Sequence, residues 1–158
     1  MISVDVTNNQ TCIPIDEQQF REAVRIILSE KGVARAQISV AVVDDATIVQ
    51  LHQRFLGKDE PTDVLSFVLE QDEDHLEGEI VVSAETAKST AGWYDWPPEH
   101  ELLLYVIHGT LHMVGYDDAT PEQRAAMRKA ELAYLARLEI HQPQETGNSP
   151  REEPETPE

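Results

Sequence analysis

Apolar and polar positions alternate at the start of the chain, with Ile2, Val4 and Val6 set against Ser3 and Asp5. A period of two predicts a half-buried strand. The period then changes. Asp16 and Gln19 make a capping-box signal before Phe20, Ala23, Val24, Ile27 and Leu28, and their three- and four-residue steps predict one apolar helix face ending at Gly32. Gln37 to Val43, rich in β-branched residues, predicts a buried strand. Asp44 or Asp45 caps a second predicted helix, with Ile48, Leu51, Phe55 and Leu56 inward and Gly57 at its stop. Val64 to Leu69 is a predicted strand after Pro61, and Glu79 to Val82 is another after a turn at Gly78. Ser83 opens a short helix that ends near Gly92. Pro97 and Pro98 suit the first turn of the next, which carries Leu102, Leu103, Val106, Ile107, Leu111 and Met113 to a stop at Gly115. Thr120, Pro121 and Gln123 cap a last helix running to about Glu139. The fold class expected is α/β (α+β), a single small mixed sheet of about four strands flanked by helices.

The chain of 158 residues has room for one domain, and 41% hydrophobic with 27% charged residues is a globular composition. From His141 onward Pro143, Pro150, Pro154 and Pro157 sit among polar and acidic residues, and Ile140 is the last aliphatic side chain. Residues 1–140 are expected to form the domain and 141–158 a disordered, acidic, Pro-rich tail. The net charge is -18. The tail, with five acids and one base, accounts for -4 of it, so the domain is acidic too. Loose binding to a polyanion needs clustered Lys and Arg, so a nucleic-acid partner must meet a local basic patch or a metal. The longest apolar runs fall far short of the roughly 20 residues of a membrane span, the N-terminus lacks a secretion signal, and Cys12 stands alone. A cytoplasmic location and no membrane partner are expected.

The chemistry concentrates in His108-Gly-Thr-Leu-His112-Met-Val-Gly115-Tyr116-Asp117-Asp118. On a helix the four-residue step puts both imidazoles on one face, about 6 Å apart along the axis. Gly115 follows one turn later, where a residue without a side chain can adopt a left-handed conformation and reverse the chain. That reversal would bring Asp118 back over the histidines. Two imidazoles and a carboxylate are a catalytic zinc set that leaves a fourth position open. The histidine pair alone is also what a packed and an exposed histidine would look like. Asp117 or Asp118 could instead cap the last helix or orient an imidazole. The spacing favours His108, His112 and Asp118 as ligands of one Zn2+, a site built on a helix and its following turn.

Phe55-Leu-Gly-Lys-Asp-Glu-Pro-Thr-Asp-Val-Leu-Ser-Phe67, Gly78-Glu-Ile80 and the His108 to Asp118 segment, in this order, resemble the YbeY endoribonucleases over most of residues 1 to 140. These are zinc-dependent, single-strand-specific enzymes of ribosomal RNA (16S) maturation and ribosome quality control. The resemblance implies a small sheet with flanking helices and a zinc ion held by three histidines, near a groove beside the Pro61 to Phe67 segment. His108 and His112 match the first two histidines. The chain departs from the family at two places: Asp118 stands where the best-known members carry the third histidine, and Leu56 where they carry an arginine.

The activity so implied is metal-assisted phosphodiester cleavage, with single-stranded or ribosomal RNA as substrate and the ribosome or small-subunit proteins as partners. Gly109 after the first histidine disfavours a peptidase of the H-E-x-x-H type. His112 and Asp117 are the catalytic candidates, and Asp117, Glu79 and the metal-bound hydroxide itself are unranked candidates for general base. Thr62, Asp63 and Ser66 are candidates to line the groove, and Arg54 and Lys58 to contact phosphate. Trp93, Tyr94 and Trp96 are candidates either to stack on bases or to plug the core. The alternatives are a non-catalytic ribosome assembly factor with a structural zinc, and a metal-dependent hydrolase of another substrate.

Overall fold

The computed structural model describes residues 1–57 and 62–141. Lys58, Pro61 and the tail beyond residue 141 lie outside the described residues. Four strands, β1 (Ile2–Asn8), β2 (Arg35–Val43), β3 (Val64–Gln71) and β4 (His75–Ser83), form one mixed sheet in the order β1-β2-β4-β3. The pairs β1 with β2 and β2 with β4 are parallel, and β3 runs antiparallel to β4. Helices α1 (Glu17–Glu30) and α2 (Asp45–Leu56) fall between strands, and α3 (Ala84–Tyr94), α4 (Pro98–Met113) and α5 (Pro121–Arg137) follow the last. Parallel neighbours need such crossovers, which a tight turn cannot supply.

The capping signals act as expected. The Asp16 carboxylate accepts from the Gln18 and Gln19 amides, Asp44 caps α2 through the Thr47 amide, and Thr120 with Gln123 completes a reciprocal capping box on α5. Each satisfies amides that the first helical turn leaves without partners.

The main core lies between one sheet face and α1, α3, α4 and α5, and a smaller cluster of Val43, Ile48, Leu65 and Val81 joins α2 to the other face. α4 is the central helix, and every residue from Glu101 to Ile107 is buried. It therefore has no polar face for a helical period to reveal.

Two local readings are corrected. Gly78 lies inside β4 and is not a turn. A β-carbon there would stand 2.5 Å from Met113 Cε and 2.8 Å from the Phe67 carbonyl oxygen, so α4 packs into the space a side chain would fill. The hairpin turns instead at Asp72–Asp74, where the Asp72 carboxylate accepts from the Asp74 and His75 amides. Phe55 and Leu56 do not point inward but are 56% and 55% exposed. The buried positions of α2 are Ile48 and His52, and the Phe55 ring lies against the edge strand, its centroid 5.4 Å from that of Phe67. α3 ends near Gly92 as expected, at Tyr94, and stops at Asp95, which takes the left-handed conformation at φ 54°.

Candidate metal centre

The site is assembled by the C-terminal end of α4. Gly115, at φ 104°, lets the helix end in two crossed bonds: the Tyr116 amide donates to the Leu111 carbonyl and the Gly115 amide to that of His112. This is a Schellman reversal. Arg124 on α5 then donates to the carbonyls of Asp118 and Ala119 at 3.4 and 3.2 Å, holding the returning chain. Asp118 is thereby brought over the two histidines, as the spacing requires.

Three donor atoms converge. His108 Nε2 and His112 Nε2 are 3.0 Å apart, and Asp118 Oδ2 lies 3.3 Å from the first and 3.2 Å from the second. Tetrahedral bonds of about 2.0 to 2.1 Å would put neighbouring donors roughly 3.3 to 3.4 Å apart. The triangle therefore fits a zinc-sized ion with little movement. The side chains are 24%, 28% and 35% exposed, so the centre opens to solvent on one side.

Behind His108, its Nδ1 lies 2.6 Å from Oε2 of Glu131 on α5. Burial lowers the affinity of His108 for a proton, but Asp118 and Glu131 outweigh this and push its pKa up to about 10. Hydrogen bonds from His108 and His112 hold the Asp118 carboxyl well below the usual carboxylate range, against its partial burial. The pocket favours positive charge, whether a proton or a metal ion, since both compete for the same lone pairs.

Glu131 was not among the sequence candidates. A signal for it exists, because Glu131 falls on the inward stripe of α5 with Met127, Tyr134 and Leu135, where an aliphatic residue is expected.

Asp117 is exposed in the reversal and lies outside the three-residue donor group. β4 packs against α4 through Gly78 and Ile80. Successive strand residues face opposite sides, so Glu79 lies on the face away from the histidines and is excluded as their general base. The same alternation puts Ser66 on the α4 side with Val64, whose methyl approaches Gly109 next to His108. Thr62 and Ser66 are half-buried. Asp63 is exposed, and its carboxylate accepts from the Val64 amide at 2.8 Å. Arg54 is exposed in the last turn of α2, with its guanidinium carbon 5.5 Å from the Phe55 ring centroid. Tyr94 and Trp96 belong to the core, where the Trp96 indole donates to the buried Glu101 at 3.0 Å. Trp93 alone of that cluster is exposed. Among the described residues, no helix is long and apolar enough to cross a membrane.

A sequence profile of the family described as Endoribonuclease YbeY matches residues 5–139. A protein named Endoribonuclease YbeY from Rhodopirellula baltica is 43% identical over 134 residues, covering 84% of this chain and 69% of its own. One of the same name from Desulfitobacterium hafniense is 37% identical over 132 residues, 77% of this chain and 82% of its own. The solution structure of a Thermotoga maritima protein superposes with a TM-score of 0.57 at 26% identity, covering 98% of this chain and 97% of that one.

Proposed function

This chain belongs to the YbeY endoribonuclease family, and we propose from that premise that it is a zinc-dependent endoribonuclease cleaving single-stranded RNA in ribosomal RNA maturation. The observation that carries the reading is the donor triangle of His108, His112 and Asp118, open to solvent and closed behind by Glu131. A zinc ion held there supplies Lewis acidity toward a phosphoryl oxygen and toward water.

The chain's own residues would divide the remaining work. His108, His112 and Asp118 would hold the ion, and His112 would also serve as a catalytic imidazole. Asp117, exposed and outside the donor group, would accept or return a proton. Thr62, Asp63 and Ser66 would line the path of the strand beside β3, with hydroxyl donors suited to sugar and phosphate oxygens. Arg54 and Lys58 would meet phosphate, in a chain that carries 12 Lys and Arg against 30 Asp and Glu. Small-subunit ribosomal proteins are the expected protein partners, the cytoplasm the expected location, and residues 1–140 the functional domain.

The test is cleavage of a single-stranded RNA and of its duplex by the zinc-loaded protein, repeated after chelation and with His112→Ala. Cleavage of the single strand alone, lost on chelation and in the variant, supports the reading. Zinc retention without cleavage would favour a non-catalytic assembly factor, a reading that the exposed Leu56 in place of the family arginine keeps open.

A further inference from the structure

We propose that Glu131, braced by Arg128, is the positioning residue of the metal centre and fixes His108 so that Nε2 faces the ion. This rests on His108, His112 and Asp118 being the ligands. The Glu131 side chain is only 8% exposed and lies on the α5 face that carries Met127, Tyr134 and Leu135. Placing a carboxylate there is costly unless it is paired, and an aliphatic side chain would pack the same slot without that penalty. Its position is explained by what it holds. Oε2 lies 2.6 Å from His108 Nδ1, and Oε1 lies 3.5 Å from Arg128 Nη1 one helical turn back.

An ionised carboxylate can only accept, so at that distance the imidazole brings its proton on Nδ1. In the neutral ring the lone pair is then on Nε2, the atom that lies 3.0 Å from His112 Nε2 and 3.3 Å from Asp118 Oδ2. The same bond prevents the ring from turning over, and an anionic acceptor makes Nε2 a stronger donor. Among the described residues, both hydrogen bonds of His112 are made at Nε2, so the two imidazoles are not equivalent. His108 is held from behind by Glu131. Because Glu131 is 23 residues away on another helix, ligand orientation depends on the docking of α5 against α4.

Zinc affinity of the full chain, measured by competition with a chromophoric chelator, tests this, with the absorption spectrum of the Co2+-substituted protein reporting ligand geometry. Glu131→Gln keeps the shape and removes the charge, and Glu131→Leu fills the apolar slot. Both are expected to fold cooperatively and to bind zinc about 10- to 100-fold more weakly, with an altered Co2+ spectrum. A packing role would instead let Glu131→Leu bind as tightly as the wild type. Should Glu131→Gln fail to fold, Glu131→Leu alone carries the decision. Affinity within twofold of wild type in the folded variants overturns the proposal while His108→Ala still loses the metal. If His108→Ala also keeps its zinc, the ligand assignment falls, and the role of Glu131 falls with it.

Discussion

The Cγ2 methyl of Val64 stands 3.1 Å from the point that a β-carbon on Gly109 would occupy, and Ile80 Cγ2 stands equally close. Gly109 follows His108, so this contact brings the start of β3 against the helix that carries the ligands. It also gives a packing reason for the residue that separates this site from an H-E-x-x-H peptidase, since a glutamate at 109 would point into the sheet. Gly109→Ala forces β3 and α4 apart by a few tenths of an ångström. It is expected to lower stability by about 1 to 3 kcal/mol, the usual range for overpacking. Denaturant unfolding measures it, and an unchanged midpoint would show that the contact yields freely.

Gly115 answers to a different constraint. Nothing lies within 4 Å of its would-be β-carbon, yet its φ is 104°. Gly115→Ala should therefore cost about 1 to 2 kcal/mol through backbone strain alone. Zinc affinity should fall with it, because the same reversal carries Asp118. Loss of stability with full zinc affinity would separate the turn from the site.

Asp118 is the third member of the candidate donor group, where the best-known family members carry histidine. Asp118→His is expected to keep the metal and to leave RNA cleavage level or higher, since it removes a negative charge beside the phosphate. Asp118→Ala should weaken zinc by at least tenfold, at about 1.4 kcal/mol per factor of ten. Asp117→Ala should leave affinity unaltered, as Asp117 lies outside the donor group. Equal affinity in all three variants would exclude a carboxylate ligand in this turn.

The metal-free protein should lose stability as pH rises. His108 has its folded pKa pushed from 6.5 up to about 10, so its contribution is fully present below 6.5 and is lost as pH climbs through about 10. Asp118, shifted down, contributes above its ordinary 3.8 and loses that contribution on acidification below it. Zinc reverses the alkaline trend, because it competes with the His108 proton and binds more tightly as pH rises. Melting temperatures from pH 6.5 to 10, with and without zinc and against His108→Ala, read both slopes. A metal-free slope identical in the variant would remove His108 as its source.

Ile140 is 6% exposed and closes the last helix, with its amide bonded to the Leu135 carbonyl. Truncation after His141 should thus leave melting temperature and zinc affinity unchanged. A marked fall in either would show that residues 142–158 contribute to the domain.

What the chain states locally, it states well. Caps at Asp16, Asp44, Ser83 and Thr120 start helices, because a side-chain oxygen within three residues can satisfy their free amides. His108, His112, Gly115 and Asp118 are legible as a metal set for the same reason, since one helix and one turn fix all their relative positions. The segments that carry the family resemblance are contiguous in the same way. What depends on two elements meeting was not written in any spacing. Gly78 reads as a turn until Met113 is packed over it, and Phe55 reads as core until its ring is found exposed beside Phe67 of the edge strand. Glu79 stands among the candidates for general base until Gly78 and Ile80, its neighbours in β4, are found packed against α4. Glu131 reaches His108 only because α5 folds back along α4. Hydrophobic period and capping act over a few residues, whereas each of these outcomes is decided by packing between segments far apart in the chain.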